Sequence, residues 1–270
     1  MDNYMTIQDK QKASLDALLC LDEYCRSHQL RYYLNFGTLI GAIRHHGFIP
    51  WDDDVDVYVP RPDYEIILRQ FTDPTGDFKL VSCFNEPEYI LPWAKIQNMH
   101  TARLLKNSEI DHQGIGIDLF PLDGFPDDLE EAKRVFFKTN QHWLKVTNRL
   151  ERFRVLEAHT ALDRAKNIAG QAAFKTGFLQ KSIQKLSQNP FDIDYEAAKT
   201  VGSAVGLHSN KFRAYKKEWY DTCNVDFEGH QLIAPKGFHE ILTMTYGDYM
   251  QLPPEEKRVT THTDKFVWIK

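Results

Sequence analysis

The sequence predicts an α/β (α+β) protein, a mixed sheet flanked by helices, with a helical subdomain. Strand patterns such as DDVDVYV and GIGIDLF alternate with helical patterns in the first part of the chain. Helical spacing then dominates, and the last part returns to short strands and proline-marked turns. We expect a catalytic core at residues 1–126, a helical subdomain at 127–190, and a segment at 191–270 that packs back on the core.

The individual elements follow from hydrophobic spacing and from the residues that end each pattern. Helices are predicted at 6–28, 38–47 and 63–71, and strands at 31–37, 53–59, 78–84, 91–97 and 114–125. Gly37 ends the first strand, and Thr38 is expected near the N-cap of the second helix.

Composition excludes several classes of protein. The chain has 270 residues with a net charge of −5, which argues against a nucleic-acid binder that works by bulk charge. Its four cysteines show no zinc-binding spacing, which indicates free thiols in a reducing compartment. The polar N-terminus does not resemble a signal peptide, and no apolar run is long enough to span a membrane. We therefore expect a cytoplasmic protein.

The stretch GFIPWDDDVDVYVP places four aspartates within five residues at the start of a strand. Because side chains alternate along a strand, Asp54 and Asp56 point to one face and the valines between them point to the core. Two neighbouring carboxylates repel each other unless a cation lies between them, and Mg²⁺ or Mn²⁺ suits oxygen ligands. Asp118, in the strand GIDLF, is the expected third ligand.

The alternative for an isolated pair of this kind is a solvated acidic face. Asp52 and Asp53 are read in that way, Asp52 as orienting the turn and Asp53 as capping backbone amides. Upstream, NFGTLIGAIR places Gly37 and Thr38 where a strand turns into a helix. Such a turn binds phosphate in many proteins, although glycine and threonine also serve there for capping alone. A phosphate cradle beside a carboxylate metal site indicates a metal-dependent transferase that acts on a phosphoanhydride.

Three stretches, NFGTLIGAIRHHGFIPWDDDVDVYVPRPDYE, GIGIDLFPLD and YGDYMQLPPEEKR with a later histidine, resemble the LicD family of phosphocholine transferases. The resemblance implies a nucleotidyltransferase-like fold with a glycine turn, an acidic pair and a third acid. Gly37 and Thr38 match the turn, with threonine where serine is more usual. Asp54 and Asp56 match the pair, and Asp118 matches the third acid, which is also the first candidate for the proton acceptor.

The resemblance also implies a reaction. Phosphocholine would move from CDP-choline to a sugar hydroxyl of a surface-glycan precursor, of the teichoic acid or lipopolysaccharide type, with release of CMP. Transfer of a nucleotide, or of another substituent such as phosphoethanolamine, is the enzymatic alternative. A regulator that only binds a nucleotide or a metal is the non-enzymatic one, and the intact set of three acids argues against it.

Five further residues are expected to bind substrate, and three of them, Arg44, Lys95 and Trp51, also have a structural alternative. Arg44 contacts phosphate or forms a surface ion pair, and Lys95 contacts phosphate or extends to water. Trp51 stacks on a base or on the choline headgroup, or packs after its preceding proline. Arg258 and His262 match the closing motif of the family and bind phosphate or the acceptor.

The helical block is locally basic and carries Phe174, Phe178 and Leu179. Such a surface could rest on an anionic membrane and bring the enzyme to a lipid-linked acceptor at the inner face of the plasma membrane. An ordinary helical subdomain with a solvated basic face is the favoured alternative.

Overall fold

The computed structural model describes residues 4–269 apart from 87–88, 105–109, 112, 154–159, 163, 166–167, 169–171, 173–177, 206–210, 261 and 263. At 110–111, 147–153 and 178–179 it describes the backbone alone. The chain divides into two compact units. Unit 1 comprises Met1–Leu80, Lys95–Leu122 and Tyr215–Lys270, and unit 2 comprises Val81–Ala94 and Asp123–Ala214.

Helices alternate with strands at the start of the chain, and a run of strands follows. These elements are α1 (Ile7–His28), β1 (Tyr33–Leu34), α2 (Phe36–His45), β2 (Val55–Pro60), α3 (Arg61–Gln70), β3 (Phe78–Val81), β4 (Ala94–Asn98), β5 (Thr101–Leu104), β6 (Ile110–Asp111) and β7 (Gly116–Phe125). They are followed by α4 (Leu129–Phe153), α5 (Phe178–Ser187), β8 (Thr200–Gly202), β9 (Tyr215–Lys216), β10 (Thr222–Phe227), β11 (His230–Pro235), α6 (Phe238–Tyr246) and β12 (Lys265–Trp268).

A mixed sheet organises unit 1, with strands in the order β1-β2-β7-β4-β3. β1 pairs antiparallel with β2, whereas β2 and β7 are parallel. The helices α1, α2 and α3 all contact β2, so this strand is flanked by helices as well as by two strands. Val55, Val57 and Val59 of β2 are almost fully buried, as the alternating pattern predicts. The predicted α+β class is therefore confirmed.

The start of α2 differs from the sequence prediction. β1 contains only two residues, and α2 already begins at Phe36 after the N-cap residue Asn35. The backbone N–H of Asn35 still bonds to the carbonyl oxygen of Asp56, and Phe36 then takes a positive φ of 46° that turns the chain into the helix. Gly37 and Thr38 therefore lie inside the first helical turn, and the predicted helix start at Thr38 is corrected to Phe36.

The C-terminal part of unit 1, Tyr215–Lys270, is bonded to the first helices and strands. Arg44 of α2 donates to the carbonyl oxygen of Tyr249 at 2.6 Å. The backbone N–H of Ile233, in β11, donates to the hydroxyl of Tyr32, and β12 pairs antiparallel with β5. These bonds bring remote parts of the sequence into one unit.

Unit 2 has a conventional apolar core. Phe125 stacks on Phe212 with ring centroids 5.6 Å apart, and it packs with Ala132 and Ala204. A second cluster joins the buried side chains of Cys83, Val146 and Ile183. Helices α4 and α5 confirm a helical pattern over parts of 127–190.

Much of the predicted membrane-facing surface lies outside the described residues. Phe174 belongs to the segments that are not described, and only the backbone of Phe178 and Leu179 is described. Among the helices that are described, none combines the length and the apolar character needed to cross a bilayer.

Candidate active site

The acidic strand and its neighbour bring two carboxylates together at the centre of the sheet. Asp56 of β2 lies directly opposite Asp118 of β7 in the parallel ladder, which follows from the alternation of both strands. The backbone N–H of Asp56 donates to the hydroxyl of Thr38 at 2.9 Å. Thr38 thus anchors the strand to α2, a role that the sequence prediction did not include.

Asp56 is placed in a position that is unfavourable for a charge. Its burial, followed by repulsion from Asp54, Asp118 and Asp52, raises its pKa well above the ordinary value of an aspartate. Lys95 counteracts part of this effect, since its ammonium lies 3.3 Å from a carboxylate oxygen of Asp118. Burial and repulsion from neighbouring carboxylates therefore oppose ionisation of Asp56, and Lys95 offsets only part of that effect.

Asp53 has a different environment from the aspartates around it. Its oxygens accept hydrogen bonds from Lys10 at 2.7 Å and pair with His262 Nδ1 at 2.6 Å. Burial acts to raise the pKa of Asp53, but the bonds from His262 and Lys10 outweigh burial and hold the pKa below its ordinary value. The expectation that Asp53 caps backbone amides is replaced by these side-chain partners.

His262 connects Asp53 to Asp54. Its Nδ1 pairs with Asp53, and its Nε2 lies 3.5 Å from an oxygen of Asp54. The hydrogen bond to Asp53 raises the pKa of His262 to about 9, with further contributions from the charge of Asp54 and against the opposing effect of burial. The imidazole of His262 is therefore protonated near neutral pH, and each of its ring nitrogens faces a carboxylate.

The carboxylate of Asp52 lies against the first turn of α2, the place at which a phosphate was expected. A Cβ atom at Gly37 would lie 2.6 Å from Asp52 Oδ2, so only glycine leaves room for this carboxylate. Burial, together with the charge of Asp54 and a hydrogen bond with it, raises the pKa of Asp52 to about 8. Gly37 thus accommodates a carboxylate of the same chain.

The remaining predicted contacts surround this cluster. The ring of Trp51 has the guanidinium of Arg258 5.9 Å from its centroid and packs edge-on against His45. Arg258 also donates to the carbonyl oxygen of Pro253. Arg44 donates to backbone carbonyl oxygens rather than to a carboxylate, so the surface ion pair considered for it is not what the structure shows.

The donor set suits a hard divalent cation. Asp54, Asp56 and Asp118 offer carboxylate oxygens, and the mutual repulsion around buried Asp56 is what a bound cation would relieve. Another group, formed by Asp52, Asp53 and His262, has ligand atoms within 4.8 Å of one another. This group contains none of the three aspartates that the sequence predicts as metal ligands. Because Lys10 and His262 already use the oxygens of Asp53, we favour the predicted set.

Comparison with known proteins gives a match to a family model over this part of the sequence and a relative that aligns over nearly the whole chain. The model of the LicD/FKTN/FKRP nucleotidyltransferase domain matches residues 29–151, a span that contains Gly37, the acidic strand and Asp118. The lipopolysaccharide cholinephosphotransferase LicD of Haemophilus influenzae is 30% identical over 266 residues, which cover 96% of each protein. The chain belongs to the LicD family. The resemblance described from the motifs is confirmed, and the chain is a transferase.

Two other relatives of this LicD family member align over short segments only. Uncharacterized protein RT0683 of Rickettsia typhi is 38% identical over 69 residues, which are 24% of this chain and 22% of that protein. Uncharacterized protein RP689 of Rickettsia prowazekii is 44% identical over 48 residues, 18% of each. These matches add no functional description.

The sequence prediction for this LicD family member did not include the contact of Lys10 with Asp53, and it did not include the contacts that Asp52 and Asp53 make. The aspartates were visible as part of an acidic run, but their partners are remote in sequence or lie on another element. Lys10 lies among ordinary helical charges, and its spacing carried no signal. Only the fold places its ammonium on Asp53.

Proposed function

We propose that the chain transfers phosphocholine from CDP-choline to a sugar hydroxyl of a cell-surface glycan precursor, of the lipopolysaccharide or teichoic acid type, with release of CMP. The observation that carries the proposal is the buried Asp56, which lies opposite Asp118 in the ladder and is repelled by both Asp54 and Asp118, in a LicD family member. The end-to-end similarity to a cholinephosphotransferase supports choline as the headgroup.

Asp54, Asp56 and Asp118 would hold Mg²⁺ or Mn²⁺ in this proposal. A bound divalent cation supplies neutralisation of the donor pyrophosphate and of the charge that develops on the leaving CMP. The buried position of Asp56 favours such binding, because Lys95 relieves only part of the repulsion among the carboxylates.

The transfer itself exchanges one phosphorus–oxygen bond for another. The acceptor hydroxyl oxygen forms a bond to the choline-bearing phosphorus, and the bond from that phosphorus to the bridging oxygen breaks, so that CMP leaves with the electron pair. We propose that Asp118 accepts the hydroxyl proton. Lys95, whose ammonium lies 3.3 Å from an oxygen of Asp118, is placed to orient that carboxylate.

The other predicted contacts divide into two groups in this proposal. Lys95 and the face of Trp51 are retained as direct contacts to the donor, the first for phosphate and the second for the choline headgroup or the base. Gly37, Thr38, Arg44, Arg258 and His262 have partners within the chain and are proposed to shape the donor site.

The test is a product analysis with radiolabelled CDP-choline and a lipopolysaccharide acceptor that lacks phosphocholine. Label is expected to appear in the acceptor together with an equal amount of CMP, and EDTA is expected to stop the reaction. Release of pyrophosphate instead of CMP would favour nucleotide transfer. CDP-ethanolamine in place of CDP-choline tests the headgroup, and Asp226→Asn, an exposed aspartate of β10, is the matched control for the site variants.

A further inference from the structure

Three distant parts of the chain converge on the side chain of Asp53. Lys10 comes from α1, Asp53 precedes β2, and His262 comes from the C-terminal segment between α6 and β12. Lys10 also donates to the backbone carbonyl oxygen of Asp264 at 3.2 Å, and Thr260 donates to Asp53 at 3.4 Å. The C-terminal segment is thereby held against the acidic turn at several points.

Adjacent aspartates have opposite environments at this junction. The side chain of Asp53 is 5% exposed, and both of its oxygens are occupied by partners within the chain. The side chain of Asp54 is 42% exposed, and its contact with His262 Nε2 is looser, at 3.5 Å. Asp53 is thus arranged to hold other side chains, whereas the Asp54 carboxylate, which also bonds with Asp52, remains partly exposed to a ligand.

We propose that His262 is a positioning residue of the transfer reaction, in which Asp53 fixes the orientation of the imidazole and Nε2 directs the Asp54 carboxylate toward the cation. The inference rests on the proposed metal site. Groups that hydrogen-bond to metal ligands fix their orientation, and loss of such a group commonly weakens metal binding by about ten- to one-hundredfold. Lys10 serves the same arrangement by holding the second oxygen of Asp53.

Two conservative variants separate positioning from simple anchoring of the tail. In His262→Asn the amide nitrogen can take the place of Nδ1, so the bond to Asp53 is kept and the reach to Asp54 is lost. In His262→Gln the amide nitrogen can take the place of Nε2, so the reach to Asp54 is kept. His262→Ala removes both, and His230→Ala, an exposed histidine at the start of β11, is the matched control.

The primary measurement is Mn²⁺ binding in the absence of donor, followed by the signal of free Mn²⁺ in electron paramagnetic resonance. H262N and H262A are expected to weaken binding by about tenfold or more, H262Q by less than either, and H230A not at all. Thermal unfolding in EDTA is expected to stay close to wild type for H262N, since its anchor to Asp53 is intact.

The outcomes distinguish this inference from the proposed function. Wild-type affinity and wild-type transfer rate in H262N would overturn the positioning role, because the anchor alone would then suffice. Equal loss in H262N and H262Q, or tighter Mn²⁺ binding in H262A, would also contradict it. A wild-type protein that binds no Mn²⁺ would overturn the proposed metal site and this inference with it, whereas Mn²⁺ binding without choline transfer would overturn only the donor.

Discussion

Burial has opposite effects on stability in strand β2 of unit 1 and in the apolar core of unit 2. All six residues of β2 are buried, and Asp56 is among them. In unit 2, by contrast, the cluster of Cys83, Val146 and Ile183 is apolar, and nearby Gln180 and Gln184 both donate to the carbonyl oxygen of Cys83. Burial stabilises the second region, whereas in the first it forces carboxylates together at a cost to stability.

The difference indicates that the region around β2 is less stable than an apolar core would be because it holds the carboxylates of the candidate active site. A buried carboxyl group whose pKa is raised by folding destabilises the folded state at any pH above its unfolded-state pKa. Such groups cluster at functional sites more often than elsewhere. The variants below test this contrast, beginning with the change that should have the largest effect.

Asp56→Asn should abolish the proposed transfer and stabilise the protein that lacks metal. We expect a loss on the order of 1000-fold in turnover, because a central cation ligand is removed. In EDTA at pH 7 the melting temperature should rise, since a carboxyl group whose ionisation is opposed by the fold becomes a neutral amide of similar shape. Turnover and thermal unfolding measure the two effects.

The sign of the pH effect on Asp56 provides a check. Its folded-state pKa lies above the unfolded value, so its destabilising effect is absent below the unfolded pKa and grows as the pH rises toward the folded pKa. The difference in melting temperature between D56N and wild type should therefore narrow as the pH is lowered from 7 to 5. A D56N variant that transfers phosphocholine at the wild-type rate would exclude Asp56 from the metal site.

Ile183→Ala should show the opposite pattern. Ile183 is 1% exposed in the core of unit 2, so its truncation should lower the free energy of unfolding by about 2–5 kcal/mol. The transfer rate per folded molecule should stay near wild type, because the side chain belongs to the apolar packing of unit 2. Denaturant unfolding gives the first quantity, and Ile183→Val, expected to cost about 0.5–1.5 kcal/mol, is the control.

Thr38→Val tests the bond that joins α2 to the acidic strand. The substitution keeps the shape of the side chain but leaves the backbone N–H of Asp56 without its acceptor, at a cost of about 1–3 kcal/mol. Thr38→Ser retains the hydroxyl and should restore most of that stability in denaturant unfolding. Equal stability of the valine and serine variants would show that this hydrogen bond contributes little.

Gly37→Ala should have the smallest effect. Alanine is favoured over glycine in a helix by up to about 1 kcal/mol, so stability should change little. The new Cβ would displace the Asp52 carboxylate, and we expect turnover to fall by about tenfold as the cluster rearranges. Steady-state kinetics test this, with Gly76→Ala, at an open loop position with positive φ, as the control. Unchanged kinetics in the Gly37 variant would mean that the position of the Asp52 carboxylate is not critical for turnover.

Local patterns predicted a substantial part of the site. Alternation along two strands was enough to place Asp56 and Asp118 on related faces, and the ladder does set them opposite each other. The start of α2 was wrong by two residues, because the backbone pairing of Asn35 with the strand is not visible in a local pattern. The positive φ at Phe36 is likewise not visible in a local pattern.

The sequence by itself determined the class of fold, the acidic strand and the membership of the LicD family, because strand alternation, helical spacing and long motifs are local properties of the chain. Only the tertiary structure decided the roles within the run of aspartates. Asp53 bonds to the side chains of Lys10 and His262, which lie 43 and 209 residues away in the sequence. Identical residue types in one short stretch acquire different charges and partners from their surroundings, and those surroundings exist only once the chain has folded.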